Sequence, residues 1–159
     1  INGDGFDDVL ASTPFNGPIG PNNGAGVTYV VYGKADGQGP VLDIGTLDGS
    51  NGFEIVGASD FDLSGFTLAG AGDVNGDGVG DFLIGATRAS SNGLGAGTTY
   101  VVFGNPQGFA PHLDLGTLDG SNGLRIDGAA ERHESGGALA AAGDVNGDGY
   151  DDFAMSYNN

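Results

Sequence analysis

Asp73, Asn75, Asp77 and Asp81 stand at positions 1, 3, 5 and 9 of one nine-residue run, and Asp144, Asn146, Asp148 and Asp152 repeat the pattern. Position 7 of each run, Val79 or Tyr150, offers a backbone carbonyl. A third run holds Asn2, Asp4, Phe6 (through its carbonyl) and Asp8, without the first aspartate. Every donor is a hard oxygen, which favours Ca²⁺ over transition metals. Mg²⁺ fits less well, because it resists dehydration and demands a strict octahedron. Gly76 and Gly78 permit a tight backbone, with positive φ where needed. With Asp7 and Asp151 included, the three runs hold ten of the 21 acidic residues. Carboxylates packed within ~5 Å raise one another's pKa unless a cation lies between them. The expectation is two complete Ca²⁺ sites, at 73–81 and 144–152, and one truncated site at 2–8.

These runs begin as an EF-hand does, but an EF-hand needs a carboxylate at position 12 and an exiting helix. Position 12 is Ile84 in one run and Met155 in another, and Phe82-Leu-Ile-Gly-Ala reads as strand. Each run is therefore a short strand-to-strand loop whose ninth-position aspartate is the last ligand.

The rest of the composition suits a cation binder. The 159 residues carry Lys+Arg 4 against Asp+Glu 21, a net charge of −17. That excess repels nucleic acid and anionic membrane surfaces. Disorder is a poor alternative, since 38% of residues are hydrophobic and lie in short runs such as Tyr29-Val-Val-Tyr32. No run approaches the ~18 apolar residues that span a bilayer, so membrane insertion is not expected. The absence of cysteine removes disulfides and thiolate metal sites. No catalytic residue and no organic cofactor is expected. His112 and His133 sit in different loops away from any nucleophile motif, and 131–134 reads as a solvated charged turn. The chain starts inside a motif, at Ile1, and is read as a piece of something longer.

The elements that hold these loops repeat. TYVVYG at 28–33 returns as TYVVFG at 99–104, GTLDGSNG at 45–52 returns at 116–123, and AGDVNGDG at 71–78 returns at 142–149, each offset by 71 residues. The first run is out of step by two, a difference absorbed in the Pro- and Gly-rich stretch 14–26. Thirty-four glycines oppose helices and mark closely spaced turns. One period contains four candidate strands, at 65–74, 82–87, 98–103 and 124–127. The predicted fold is all-β, with β-propeller blades of four antiparallel strands: a partial first blade at 1–63, a complete one at 64–134 and the start of a third at 135–159. A flat sandwich or a solenoid is the alternative. Tyr29, Tyr32, Tyr100 and Phe103 are expected between blades.

Residues 64–87, SGFTLAGAGDVNGDGVGDFLIGAT, resemble the FG-GAP repeat of integrin-alpha-type β-propellers, and the resemblance extends over the chain. The longer pattern is similar to repeats of large bacterial secreted or surface proteins. The name-giving Phe-Gly is Ser64-Gly65 and Ser135-Gly136 here, and Gly-Ala-Pro is Gly85-Ala-Thr87, Ser12-Thr-Pro14 or Ser156-Tyr-Asn158. The resemblance implies a seven-bladed propeller with Ca²⁺ in the strand 1–strand 2 loops. It also implies a structural or adhesion scaffold outside the cell, binding a protein or glycan ligand, or neighbouring blades and copies of itself. A lectin-like propeller and a self-assembling repeat are the alternatives.

Overall fold

The computed structural model describes residues 1–16, 23–37 and 39–157. Half of the stretch that absorbs the two-residue offset, and Asn158, lie outside the described residues. The order is β1 (Val9–Thr13), β2 (Val27–Val31), β3 (Gly52–Val56), β4 (Ser64–Gly72), β5 (Asp81–Ala86), β6 (Thr98–Val102), β7 (His112–Asp114), β8 (Gly123–Asp127), β9 (Ala138–Gly143) and β10 (Asp152–Ser156). Single 3-10 turns follow Asp43 and Asp114, at Ile44–Thr46 and Leu115–Thr117.

The strands form an all-β stack of propeller-type sheets. One sheet has the order β4-β5-β6-β8 and is an antiparallel meander, Phe82 facing Val102 and Tyr100 facing Arg125. Another has the order β1-β2-β3-β7, and a two-stranded sheet pairs β9 with β10. The four candidate strands of the central period are thus β4, β5, β6 and β8 of one sheet. β7 is a strand that the periodicity missed. It leaves its own blade and pairs parallel with β3, Ile55 opposite Leu113. His112 therefore stands in a strand rather than a loop, its Nδ1 3.6 Å from Glu54.

Apolar alternation explains the stacking. Phe82, Ile84 and Ala86 of β5 and Tyr100 and Val102 of β6 pack against Val30, Tyr32, Phe53 and Ile55 of the first sheet. Leu83 and Val101 point the other way, toward Leu139 and Phe153 of the third. A strand buried on both faces reads as a continuous apolar run, which is why Phe82–Ile84 shows no alternation in the sequence. Small residues in β4 and β9, such as Ala69, Ala71 and Ala140, let these inner strands approach, and β9 packs directly on β4.

Candidate metal centres

The loops 73–81 and 144–152 join the first two strands of their sheets, and 2–8 leads into β1. Their paired glycines share one backbone conformation. Gly76 and Gly78 have φ of 76° and 86°, Gly147 and Gly149 79° and 91°, Gly3 and Gly5 73° and 87°. These left-handed values are open to glycine and costly for other residues.

In the central loop Asp73 acts as the hub. Its Oδ1 accepts the amides of Gly76 (2.8 Å) and Asp77 (3.0 Å), and its Oδ2 accepts that of Gly78 (2.8 Å). Asp77 accepts the Val79 amide at 2.8 Å, while Asn75 accepts the Asp77 amide and donates its own Nδ2 to Asp77. Asp144 gathers Gly147, Asp148 and Gly149 in the same way, at 2.7, 3.1 and 2.9 Å. The bond from the Gly149 amide, more than any other contact, lowers the Asp144 pKa, because these bonds favour the charged form.

The ninth-position aspartate serves two elements at once. Asp81 is buried, with Oδ2 accepting the Val74 amide (2.9 Å) and Oδ1 the Gly104 amide at the end of the third strand (2.8 Å). Burial pushes its carboxyl up. The two amides pull it back, and the charges of Asp77 and Asp73 raise it further. In the first loop Asp8 accepts the Gly33 amide at 2.9 Å, and the Ile1 nitrogen, 2.7 Å away, stands where the Val74 nitrogen stands to Asp81. In the last loop Asp152 accepts Val145 at 3.0 Å.

Adjacent loops also touch. Asp151 accepts the Asp73 amide at 2.8 Å, and its own amide donates to the Asp73 carbonyl at 3.0 Å. The Tyr150 ring lies over Gly76, and Val79 lies over Gly3 in the same relation, so a side chain at Gly76 would have to displace the ring. Neither contact was visible in the spacing.

The donor set fits a hard cation in chemistry, since Asp73 Oδ2, Asp77 Oδ1 and both Asp81 oxygens each accept a single amide and keep a lone pair, whereas Asp73 Oδ1 already accepts two. Yet among the described residues no three His, Cys, Asp or Glu side chains are gathered as a metal cluster. Asp73 and Asp77 face their loop's own amides, Asp81 faces those of Val74 and Gly104, and the Asn75 Nδ2 stands against Asp77. Seating a cation means turning Asn75 so that its oxygen, not its amide nitrogen, faces the ion.

At the other end of the blades lies a cleft that spacing did not suggest. The register sets Ser64 opposite Ala86 and Gly72 opposite Asp81, so the connections entering β4 and leaving β5 lie away from the loops. They line an open volume of about 840 Å³ with Asp62, Phe61, Arg88, Leu94, Arg132 and Glu134. Phe61 is 66% exposed. Phe61, Leu63, Arg132 and Glu134 have φ of 65°, 55°, 63° and 48°, the same left-handed pair in two turns one repeat apart. Such strain persists where the surroundings over-determine it, and it clusters at functional sites. The turn 131–134, expected to be solvated charge, thus contributes Arg132 and Glu134 to a cleft. Burial, then the Asp60 charge, pushes the Asp62 carboxyl up to about 6.

The FG-GAP repeat model matches residues 64–102 and 135–159. Integrin alpha pat-2 of Caenorhabditis elegans is 30% identical over 164 residues, covering 98% of this chain and 12% of that protein. Integrin alpha-PS2 of Drosophila melanogaster is 33% identical over 159 residues, covering 98% of this chain and 10% of that protein. The chain thus spans about a tenth of the length of the relatives it matches, and it carries FG-GAP repeats similar to a segment of integrin alpha chains.

Proposed function

We propose that the chain is a Ca²⁺-binding, non-enzymatic propeller module, a structural or adhesion scaffold of a secreted or cell-surface bacterial protein. The observation that supports it is the common form of the three loops. Glycine pairs of like left-handed φ stand among hard oxygens at one spacing, and Asp81 is buried beside two like charges that an ion would neutralise. In this reading Asp73, Asn75, Asp77, Asp81 and the Val79 carbonyl hold one ion. Asp144, Asn146, Asp148, Asp152 and the Tyr150 carbonyl hold another. At 2–8 the donors are Asn2, Asp4, Asp8 and the Phe6 carbonyl, without a counterpart of Asp73, and that loop is expected to bind more weakly. The blade boundaries at 63/64 and 134/135 are part of the same proposal.

Calorimetric titration of the calcium-stripped chain tests this. Two sites are expected at Kd of ~10⁻⁴–10⁻³ M, the range of extracellular modules. No binding heat together with a melting temperature indifferent to EDTA would sink the reading.

The cleft supports the adhesion half. An exposed aromatic ring beside Arg88 and Arg132, two of the chain's four basic residues, suits a protein or glycan ligand carrying carboxylates. A glycan array and a screen of acidic peptides separate the two classes, and Phe61→Ala is expected to abolish whichever binding is found.

A further inference from the structure

Two consecutive residues of the last loop reach into the loop before it. The Tyr150 ring lies over Gly76, at the centre of the run 73–81. The Asp151 Oδ2 accepts the Asp73 amide at 2.8 Å, and the Asp151 amide donates to the Asp73 carbonyl at 3.0 Å. The backbone of Asp73 is thereby held at both its amide and its carbonyl. Its carboxylate is the hub that gathers Gly76, Asp77 and Gly78. Room for this grip is built in. Gly72 has φ of 77°, and a side chain there would run into the Asp151 carboxylate. The central loop has Gly80 where the last loop has Asp151, so it has no carboxylate with which to grip the run 2–8 in this way.

The grip shares its atoms with the expected ligands of 144–152. The Tyr150 carbonyl is the position-7 oxygen of that loop, and Asp152 is its ninth-position carboxylate. Asp151 stands between the two. The amide that it donates to Asp73 belongs to the same planar peptide unit as the Tyr150 carbonyl. That peptide is trans, so its oxygen lies on the side away from Asp73. A carbonyl that serves a cation polarises its own peptide, and the N–H at the other edge becomes a stronger donor.

We infer that the Tyr150–Asp151 peptide and the Asp151 carboxylate couple the two loops, so that 73–81 and 144–152 take up Ca²⁺ with positive cooperativity. This rests on the calcium reading above and goes beyond it, because two loops can each hold an ion independently. The sign separates the grip from charge alone. Two dications repel through space, which makes the second site weaker, and at an ionic strength of about 0.15 M that repulsion is screened within ~8 Å. A backbone tie acts in the opposite sense, since the loop that is ordered first holds Asp73 in place for the other.

Nuclear magnetic resonance of the ¹⁵N-labelled, calcium-stripped chain, titrated with calcium chloride at that ionic strength, tests this. The Gly78 amide reports on 73–81 and the Gly149 amide on 144–152, because each is bonded to its own hub aspartate. Asp148→Ala, which disables the last loop, should raise the Kd at 73–81 by roughly 5-fold or more. Asp77→Ala should raise the Kd at 144–152 by the same factor, because coupling between two sites is reciprocal. Asn146→Ala and Asn75→Ala repeat the comparison with a milder change, so a misfolded aspartate variant does not decide the result. Asp151→Gly should bring both factors toward one. Unchanged affinity when the other loop is disabled, tighter binding, or a loss at only one of the two loops would each overturn the inference and leave the calcium reading standing. No response to calcium at either amide in the parent chain would remove that reading and the inference together.

Discussion

Asp81 does two jobs that one substitution separates from the other loop aspartates. Its oxygens accept two backbone amides in the structure, which holds no cation. Asp81→Asn leaves one buried acceptor where there were two, at a cost of about 1–3 kcal/mol. We expect it to melt earlier even in EDTA. Asp77 is exposed and serves its own loop, so Asp77→Ala should change the melt in EDTA by less than about 1 kcal/mol and remove only the calcium-dependent part. Asp62 gives a pH signature. Its folded pKa, about 6, lies above the ordinary value of 3.8. A raised carboxyl adds stability below about 3.8, and that contribution is lost as pH rises through about 6. Asp62→Asn mimics the protonated form. It should raise the melting temperature above pH 7 and be indistinguishable from the parent near pH 4. Melts at both values check the sign, and a larger gain at pH 4 would contradict it.

The loops and β7 are elements that couple neighbouring sheets. Asp151 of one loop holds the first aspartate of the loop before it, while the central repeat has Gly80 at that position. Asp151→Gly therefore removes the tie and leaves a residue that the fold already accepts. It should cost about 1 kcal/mol and weaken calcium several-fold at 73–81, a loop it does not belong to. Calorimetry in an Asp148→Ala background, which silences 144–152, isolates that site. Unaltered affinity there would show the loops to be independent. Phe109→Ala removes the stack on Phe53 and should speed amide exchange at 112–114 without touching the loops.

Across the whole chain, a net charge of −17 makes the folded form self-repelling until cations are bound. With two sites of Kd ~10⁻⁴–10⁻³ M, 10 mM calcium should stabilise by about 1.4–2.7 kcal/mol per site. For a chain of this length that moves the melting temperature on the order of 10 °C. Sodium chloride at matched ionic strength should reproduce only the screening part.

The chain itself announces whatever depends on near neighbours. The 71-residue offset, the glycines with left-handed φ, the Asx-bonded turns of the loops and the strands β4, β5, β6 and β8 follow from Asx geometry, glycine freedom and β-branched runs, all set within a few residues. β7 was hidden because His112-Leu-Asp is too short to show a period and its partner lies in another blade. The left-handed Phe61 and Arg132, the cleft beside them and the Asp151–Asp73 tie were hidden for a related reason. Non-glycine residues do not choose positive φ on their own, and contacts between blades exist only once the sheets stack. Local chemistry is written in the order of residues, whereas the company those residues keep is decided by which faces must be buried.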